Sequence, residues 1–443
     1  LRQSLTRIYQ RLPHWLANEL ASFYGARMDR LRYGAETESL VAQALERDYW
    51  SPGQWQDYQT AEIEELLRFA RRCPGYANAP ANWQDWPILE KEQLRGNAQA
   101  YLVPDWPKTD LVVEHTSGST GTPLTLFRPK QAFRRWYALF EARIRLWHGV
   151  NRHVRWANVG GKPIVDPRRS RPPFWVWNRA SHQLVLSSYH LAPMHLPAYL
   201  QALNHYGIQV LWGYPSSIHA LALAQKRIRQ THGLRVILTN AEPLFQQQRR
   251  DIEEAFRVPV RETYGLTEIV AAASECEEGS LHQWPDVGLT ESLDGGSLPG
   301  EMLCTGFLNH AQPLLRYRCG DALSYKAGTC SCGRTLPLLA RIEGRCDDAI
   351  LSSDGRSIGR LDTLIKDRFP IREAQFIQER IGHLIFRYVP DESFSAADRD
   401  RLLGHFAQYL QGMTLELEPV DALERGANGK VKGVINRVKQ PLS

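Results

Sequence analysis

Apolar residues recur at three- and four-residue steps near the start of the chain: Leu5, Ile8, Leu12, Leu16 and Leu20. That period marks one face of a helix, so residues 1–44 are expected to be helical. A second stripe, Ile63, Leu66, Leu67 and Ala70, predicts a helix over 60–72 that ends near Pro74 and Gly75. From Val112 the pattern changes, and short β-branched runs alternate with helical stretches. A strand at 111–114 leads into a Gly/Ser/Thr loop and a helix over 129–146. Strands at 210–212 and 236–238 precede helices over 216–230 and 244–256. This alternation predicts an α/β domain with a largely parallel sheet.

Residues 284–320 carry Gly and Pro between short apolar runs, which suits a smaller β-rich subdomain. Beyond Gly344 the pattern shifts again. Strands are expected at 375–378 and 384–389, where Leu384, Phe386 and Tyr388 alternate with Ile385 and Arg387. A helix over 398–410 (Leu402, Leu403, Phe406, Leu410) and a strand at 414–419 complete a small α+β domain. The fold class is therefore α/β. A large N-terminal domain spans 1–344, with 1–46 as a helical extension, and a small C-terminal domain spans 345–443.

Length agrees: 443 residues exceed one ordinary core at roughly 100–200 residues per domain. A 43% hydrophobic and 23% charged composition fits a soluble globular enzyme. The formal charge of +6 is mild for this length; it suits an anionic substrate such as a nucleotide, and no basic run is dense enough for a nucleic-acid tail. No stretch approaches the roughly 20 apolar residues of a membrane span. The chain starts at Leu1 without a signal-peptide pattern, so the cytoplasm is the expected compartment. The first helix is basic (Arg2, Arg7, Arg11, Arg27, Arg30 and Arg32 against Glu19 and Asp29). Packing on the main domain is its expected role, with membrane-surface contact left open. Seven unevenly spaced cysteines do not form a secreted disulfide framework.

Chemistry first shows at 115–124, HTSGSTGTPL. The hydroxyls of Thr116, Ser117, Ser119, Thr120 and Thr122 can donate to phosphate oxygens, and Gly118 and Gly121 let backbone N–H groups approach closely. No Gly-Lys-Ser/Thr follows, so this is not a Walker loop. Taken alone the run reads first as a flexible loop, and only companion motifs overturn that. Four companions follow in order: Tyr264-Gly265-Leu266-Thr267-Glu268, Tyr317-Arg318-Cys319-Gly320-Asp321, Gly344-Arg345-Cys346-Asp347-Asp348 and Gly429-Lys430.

These five motifs together resemble the signature of the acyl-adenylate-forming superfamily (acyl-CoA synthetases, peptide-synthetase adenylation domains, luciferase). Arg47-Asp48-Tyr49-Trp50-Ser51-Pro52, Pro87-Ile88-Leu89-Glu90-Lys91 and the Cys-x-Cys-Gly-Arg run at 330–334 are similar to the phenylacetate–CoA ligase branch. Arg171-Pro172-Pro173-Phe174-Trp175, Gly213-Tyr214-Pro215-Ser216 and Arg372-Glu373-Ala374-Gln375 resemble a bacterial subgroup associated with polysaccharide biosynthesis.

The resemblance implies an AMP-forming ligase whose small C-terminal domain is mobile. Attack of a carboxylate on an α-phosphate brings anions together, so positive charge and placement are needed. By the resemblance, Glu268 ligates Mg²⁺, a hard cation that prefers oxygen. Thr267 bonds the α-phosphate, Tyr264 with Gly265 faces adenine, and Asp321 accepts from both ribose hydroxyls. Asn240, Ala241, Glu242 and Pro243 line the adenine and acyl sites, Arg345 reaches the ribose and phosphate, and Asp347 is the hinge. Lys430 bridges carboxylate and α-phosphate, with Lys432 as its nearest rival. Leu124 stands where many members carry a phosphate-loop lysine, which shifts neutralisation onto Mg²⁺ and other side chains.

Cys276, His282, Cys330 and Cys332 form a Cys-x5-His…Cys-x-Cys set of donors that tetrahedral zinc prefers. Their spacing alone leaves open reduced, unligated thiols; similar sets in the resembling branch favour structural zinc. Cys319 and Cys346 look like motif passengers, Cys73 and Cys304 like buried thiols. The aromatic stretch between the phosphate loop and Gly213 offers Trp156, His190 and Tyr214 as acyl-pocket residues, with core packing as the alternative for each. The expected activity is activation of a carboxylic acid with Mg·ATP, followed by transfer to CoA or a carrier-protein pantetheine. Two alternatives stay open: transfer to an amine or hydroxyl, as on a sugar, or a non-catalytic nucleotide-binding paralogue. A homodimer is open on the resemblance alone.

Overall fold

In a computed structural model, the described residues are 9–438 except 116–123, 163, 167–168, 243, 293–299, 344–349, 352–356, 359–360, 362–364, 366–368, 411–412 and 426–430. The chain forms two compact units. One contains Leu1–Ala21, Arg155–Val260 and Glu343–Ser443; the other contains Ser22–Val154 and Arg261–Ile342.

In the first unit, Val236–Thr239, Val210–Gly213, Trp156–Gly160 and Gln183–Ser187 run parallel in that spatial order. Trp175–Asn178 adds an antiparallel edge strand. The four parallel strands are almost wholly buried, as continuous apolar runs such as Val236-Ile237-Leu238 require when helices cover a sheet. Helices Leu196–His205, Pro215–Ile228 and Gln246–Phe256 share one core with them, through Leu200, Leu221 and Ile252. Gly213 has a specific cause: a Cβ there would lie 2.3 Å from the Val159 carbonyl oxygen, so no larger residue fits.

The same unit holds a second sheet in the order Thr414–Pro419, His383–Pro390, Ile371–Arg380, Val434–Asn436. The central pair is antiparallel and both outer strands are parallel to their neighbours. Helix Ala396–Tyr409 packs Leu402 and Phe406 against Phe376 and Phe386. The α+β expectation for the C-terminal part therefore holds: the two central strands are longer than the apolar alternation indicated, Thr414–Pro419 is as expected, and Val434–Asn436 is an additional strand.

The second unit is antiparallel in character. Its strands lie in the order Gly288–Ser292, Gly300–Gly306, Tyr317–Tyr325, Leu338–Glu343, Leu281–Gln283, Ala272–Glu275, Val260–Gly265. The β-rich stretch expected at 284–320 is thus part of a larger sheet. Several sequence expectations shift here. Helix Pro52–Ala70 begins eight residues before 60, because Ser51 caps it in a reciprocal bond with Gln54 and Pro52 suits a first helical position. Residues 9–44 are not one helix: His14–Arg32 and Thr37–Arg47 are separated at Gly34, whose N–H donates to the Thr37 hydroxyl at 2.8 Å.

The predicted strand–loop–helix at 111–146 is also different. Leu111–His115 pairs antiparallel with Thr125–Pro129, so the Ser/Thr/Gly run joins two paired strands. The helix then spans only Lys130–Phe140 and widens into a π turn, Glu141–Arg145, with Glu141, Arg143 and Arg145 all buried. No described helix is long and apolar enough to cross a membrane.

Candidate functional site

In the first unit, the carboxyl ends of the parallel strands open into short turns that carry several polar side chains. Ligands of open α/β sheets bind beyond this edge. Gly161 follows the first strand, Ser188, Tyr189 and His190 follow Gln183–Ser187, Tyr214 follows Val210–Gly213, and Asn240, Ala241 and Glu242 follow Val236–Thr239. Ala241 sits at φ +66°, a left-handed conformation costly for a non-glycine residue and concentrated at functional turns. The Asn240 N–H donates to the Gly213 carbonyl at 3.2 Å, which ties neighbouring turns together. Among the described residues, Asn240 Oδ1 and Glu242 Oε1 are buried acceptors without a donor. Unpaired buried acceptors are costly and invite a ligand donor.

His190 is fixed on both ring nitrogens. The Asp166 carbonyl, 3.0 Å from Nε2, can only accept, so Nε2 carries the proton and Nδ1 accepts from the Ser187 hydroxyl at 2.8 Å. Burial lowers its pKa, which agrees with a neutral ring stacked on Phe174 at 4.7 Å. Both ring nitrogens of His190 are therefore committed to protein partners, which leaves neither for an acyl group. Tyr189 donates to the Gly161 carbonyl at 3.0 Å; burial raises the pKa of both Tyr189 and Tyr214. Trp156 is not brought to these residues. It is the first residue of its strand, at the opposite end from Gly160, and its Nε1 donates to the Ser181 carbonyl.

In the second unit, two carboxylates are held by tyrosines. Tyr264 donates to Asp321 Oδ2 at 2.7 Å, and Tyr317 donates to Glu268 Oε1 at 2.9 Å. Both acids are nearly buried, at 6% and 8% exposure, so each bond counts. Gly320 sits at φ +81°, which explains glycine immediately before Asp321. Tyr317 is itself positioned by 87–91: Leu89 forms a parallel bridge with it, and Arg318 binds Glu90 at 3.0 Å. Arg128 reaches the Thr267 carbonyl and pairs with Glu114 at 2.7 Å, with burial lowering its pKa. Gly265 lies against Trp136, where a Cβ would meet the ring at 3.2 Å.

The sulfur-rich set converges in the same unit. The donor atoms of Cys276, His282, Cys330 and Cys332 all lie within 4.8 Å of one another. Cys276 and Cys330 sulfurs are 3.7 Å apart, and Cys332 Sγ is 3.5 Å from His282 Nε2. Tetrahedral zinc, with Zn–S about 2.3 Å and Zn–N about 2.0–2.1 Å, would set these edges near about 3.8 and about 3.6 Å. His282 Nδ1 faces the Leu336 carbonyl at 3.3 Å, which leaves Nε2 free to ligate. The donor set fits such a metal.

Beneath it lies an ion cluster that sequence patterns missed. Arg143, fully buried, binds Asp286 at 2.6 and 3.0 Å and Asp48 at 2.8 Å. Asp48 also accepts from Trp147 Nε1, whose ring abuts His282. The Arg47-Asp48 pair thus has a structural role. The buried charges of 141–145 look like a surface face in sequence, and nothing local distinguishes them.

Residues 116–122, Pro243, Arg345, Asp347 and Lys430 lie outside the described residues.

Comparison with known proteins agrees with this architecture. Residues 172–294 match the AMP-binding enzyme family and 350–437 the CapK C-terminal domain. The chain is 27% identical to Protein CapK of Staphylococcus aureus over 377 residues, 81% of each protein. It is 36% identical over 131 residues to a phenylacetate-coenzyme A ligase of Thermus thermophilus, covering 27% of this chain and 29% of that one. The chain belongs to the adenylate-forming superfamily. Its relatives include phenylacetate-coenzyme A ligases and Protein CapK, the branch and subgroup that its sequence resembles. The fold of this adenylate-forming ligase matches crystalline 2-hydroxyisobutyryl-CoA ligase in the postadenylation state, at TM-score 0.61 and 19% identity, over 86% of this chain and 90% of that one.

Proposed function

We propose that this ligase uses Mg·ATP to convert a carboxylic acid into an acyl-adenylate and pyrophosphate, then passes the acyl group to the thiol of CoA or a carrier-protein pantetheine. The observation that carries the reading is the pair of tyrosine-held carboxylates, Asp321 and Glu268. Each tyrosine occupies one oxygen of its acid and fixes its orientation. In this reading Asp321 receives the ribose hydroxyls, and Glu268 is the oxygen donor for Mg²⁺, which neutralises phosphate charge when bound. Thr267 supplies a bond to the α-phosphate. Tyr264 offers its ring face to adenine, its hydroxyl being committed to Asp321.

Asn240 Oδ1 and Glu242 Oε1 are buried acceptors suited to the exocyclic amine of a nucleobase. Tyr189, His190 and Tyr214 shape the acyl pocket at the same strand ends, and Trp156 is left to the core. The segment 116–122 holds the triphosphate, Arg345 the ribose edge, Asp347 the hinge, and Lys430 bridges carboxylate and α-phosphate. Cys276, His282, Cys330 and Cys332 hold a structural zinc ion with no open position. The cytoplasm, where ATP and CoA are available, is the compartment this chemistry requires.

ATP–pyrophosphate exchange over a panel of carboxylic acids, with and without CoA, tests the reading. Acid-dependent exchange and thioester formation are expected. No exchange with any acid, together with no ATP binding by calorimetry, would refute it in favour of a binding paralogue. Exchange without thioester, and capture by an amine or sugar hydroxyl, would replace the acceptor. Lys430→Ala should abolish acyl-AMP formation in a folded protein; near-normal pyrophosphate release removes that assignment. Metal analysis should give one zinc per chain, lost in Cys330→Ser; no zinc after zinc supplementation removes the metal.

A further inference from the structure

Arg425 joins two parts of the first unit that are far apart in sequence. Its Nη1 donates to the Ser216 hydroxyl at 2.6 Å and its Nη2 to Glu373 at 2.9 Å. Ser216, 5% exposed, lies in the first turn of helix Pro215–Ile228, and its N–H donates to Glu242 Oε2 at 3.2 Å. Glu242 belongs to the turn already singled out for its orphaned Oε1. Burial raises the Glu242 pKa, while its Ser216 bond and the nearby Arg425 charge pull the other way. One guanidinium fork therefore connects the C-terminal sheet, a helix N-terminus and the strand-end turn.

The neighbouring contacts show why Arg425 matters. The C-terminal sheet also meets this region through Gln248 Nε2, which donates to the Arg372 carbonyl at 3.1 Å, and through Phe245 packing on its core. Arg425 adds a link to the segment that follows it, because it pairs with Val431 in an isolated antiparallel bridge. Just beyond, buried Gln375 holds the Lys432 carbonyl at 2.8 Å. A fork with two fixed donors can satisfy Ser216 and Glu373 together; an ammonium is a single point charge without that geometry.

We propose that Arg425 is a positioning residue: by anchoring Arg425 and Val431 to Ser216 beside Glu242, it sets the rate of adenylate formation without touching the reactants. The kinetic part rests on the function proposed above; the anchoring does not.

Hydrogen-exchange mass spectrometry of the full chain without nucleotide reads the anchoring. Arg425→Ala should speed exchange about tenfold in peptides spanning 214–219 and 423–432, with helix Ala396–Tyr409 unchanged. Ser216→Ala should reproduce a smaller part of the effect, and Arg425→Lys should restore part of it. Unchanged exchange in Arg425→Ala overturns the proposal. ATP–pyrophosphate exchange, with the best acid from the panel, reads the consequence. The kcat should fall by about tenfold or more while KM for ATP stays within about twofold. A fall confined to KM would mean that Arg425 contacts a reactant, and an unchanged kcat would mean that the anchor is only structural; either overturns the positioning role. Were the wild type inert toward every acid, the ATP reading would fail, and the hydrogen-exchange result would still decide the anchoring.

Discussion

Replacing Asp286 with alanine removes the acceptor of three bonds from two arginines: two from Arg143 and one from Arg47 at 3.0 Å. The consequences differ for the two cations. Arg47 keeps 13% side-chain exposure and can recover water, whereas Arg143 has none. The mutant leaves Arg143 with Asp48 alone. Breaking a buried pair from one side costs about 3–5 kcal/mol, since the stranded charge cannot be rehydrated. At roughly 2–4 °C per kcal/mol for a unit of roughly 150–250 residues, thermal unfolding should drop on the order of 10 °C. Asp286→Asn keeps an acceptor oxygen and should lose less. Glu92→Ala is the control: its pair with Arg95 is exposed, and such pairs contribute about 0–1 kcal/mol. Differential scanning calorimetry of the three variants, with zinc content measured in parallel, is the assay. A midpoint for Asp286→Ala within about 2 °C of the wild type would refute the reasoning. It would mean that Arg143 finds water or another partner.

Other outcomes follow from the same geometry. Tyr317→Phe leaves Glu268 short of a donor worth about 1.5–3 kcal/mol, so kcat/KM for Mg·ATP should fall by about tenfold to a hundredfold in pyrophosphate exchange; an unchanged value would remove Glu268 from the metal site. Gly213→Ala drives a methyl into the Val159 carbonyl and should cost about 1–3 kcal/mol in urea unfolding, with wild-type stability counting against the strand spacing described. Burial raises the Asp251 pKa, but the bonds from His219 and Lys226 outweigh it and bring the pKa down to about 2. A depressed carboxyl stabilises the fold above its unfolded pKa, and that stability is lost as pH falls from about 4 through 2; discounted for solvent, it is about 1 kcal/mol. A carboxyl ¹³C titration of Asp251 centred near 4 instead would refute the linkage.

Where a pattern reports a local property, the sequence was enough. Continuous apolar runs such as Val236-Ile237-Leu238 and the alternation of Leu384, Phe386 and Tyr388 specify which faces a strand buries, so the α/β and α+β assignments followed from them. The ordered motifs around Glu268 and Asp321 identified the superfamily, and the four zinc-type donors were visible by residue type. What pairs with what was decided only in three dimensions. Thr125–Pro129 became a hairpin strand because it pairs with Leu111–His115, a fact that no window around it contains. Tyr264 and Tyr317 gained carboxylate-holding bonds from their hydroxyls through partners 57 and 49 residues away. Trp156 and His190 are equally aromatic in sequence, yet strand direction put one at the far end of the sheet and the other, fully hydrogen-bonded, at the near end. Arg143 shows the limit most clearly. A charge surrounded by ordinary helix sequence carries no sign that it is buried, because burial belongs to the partners that the fold brings to it.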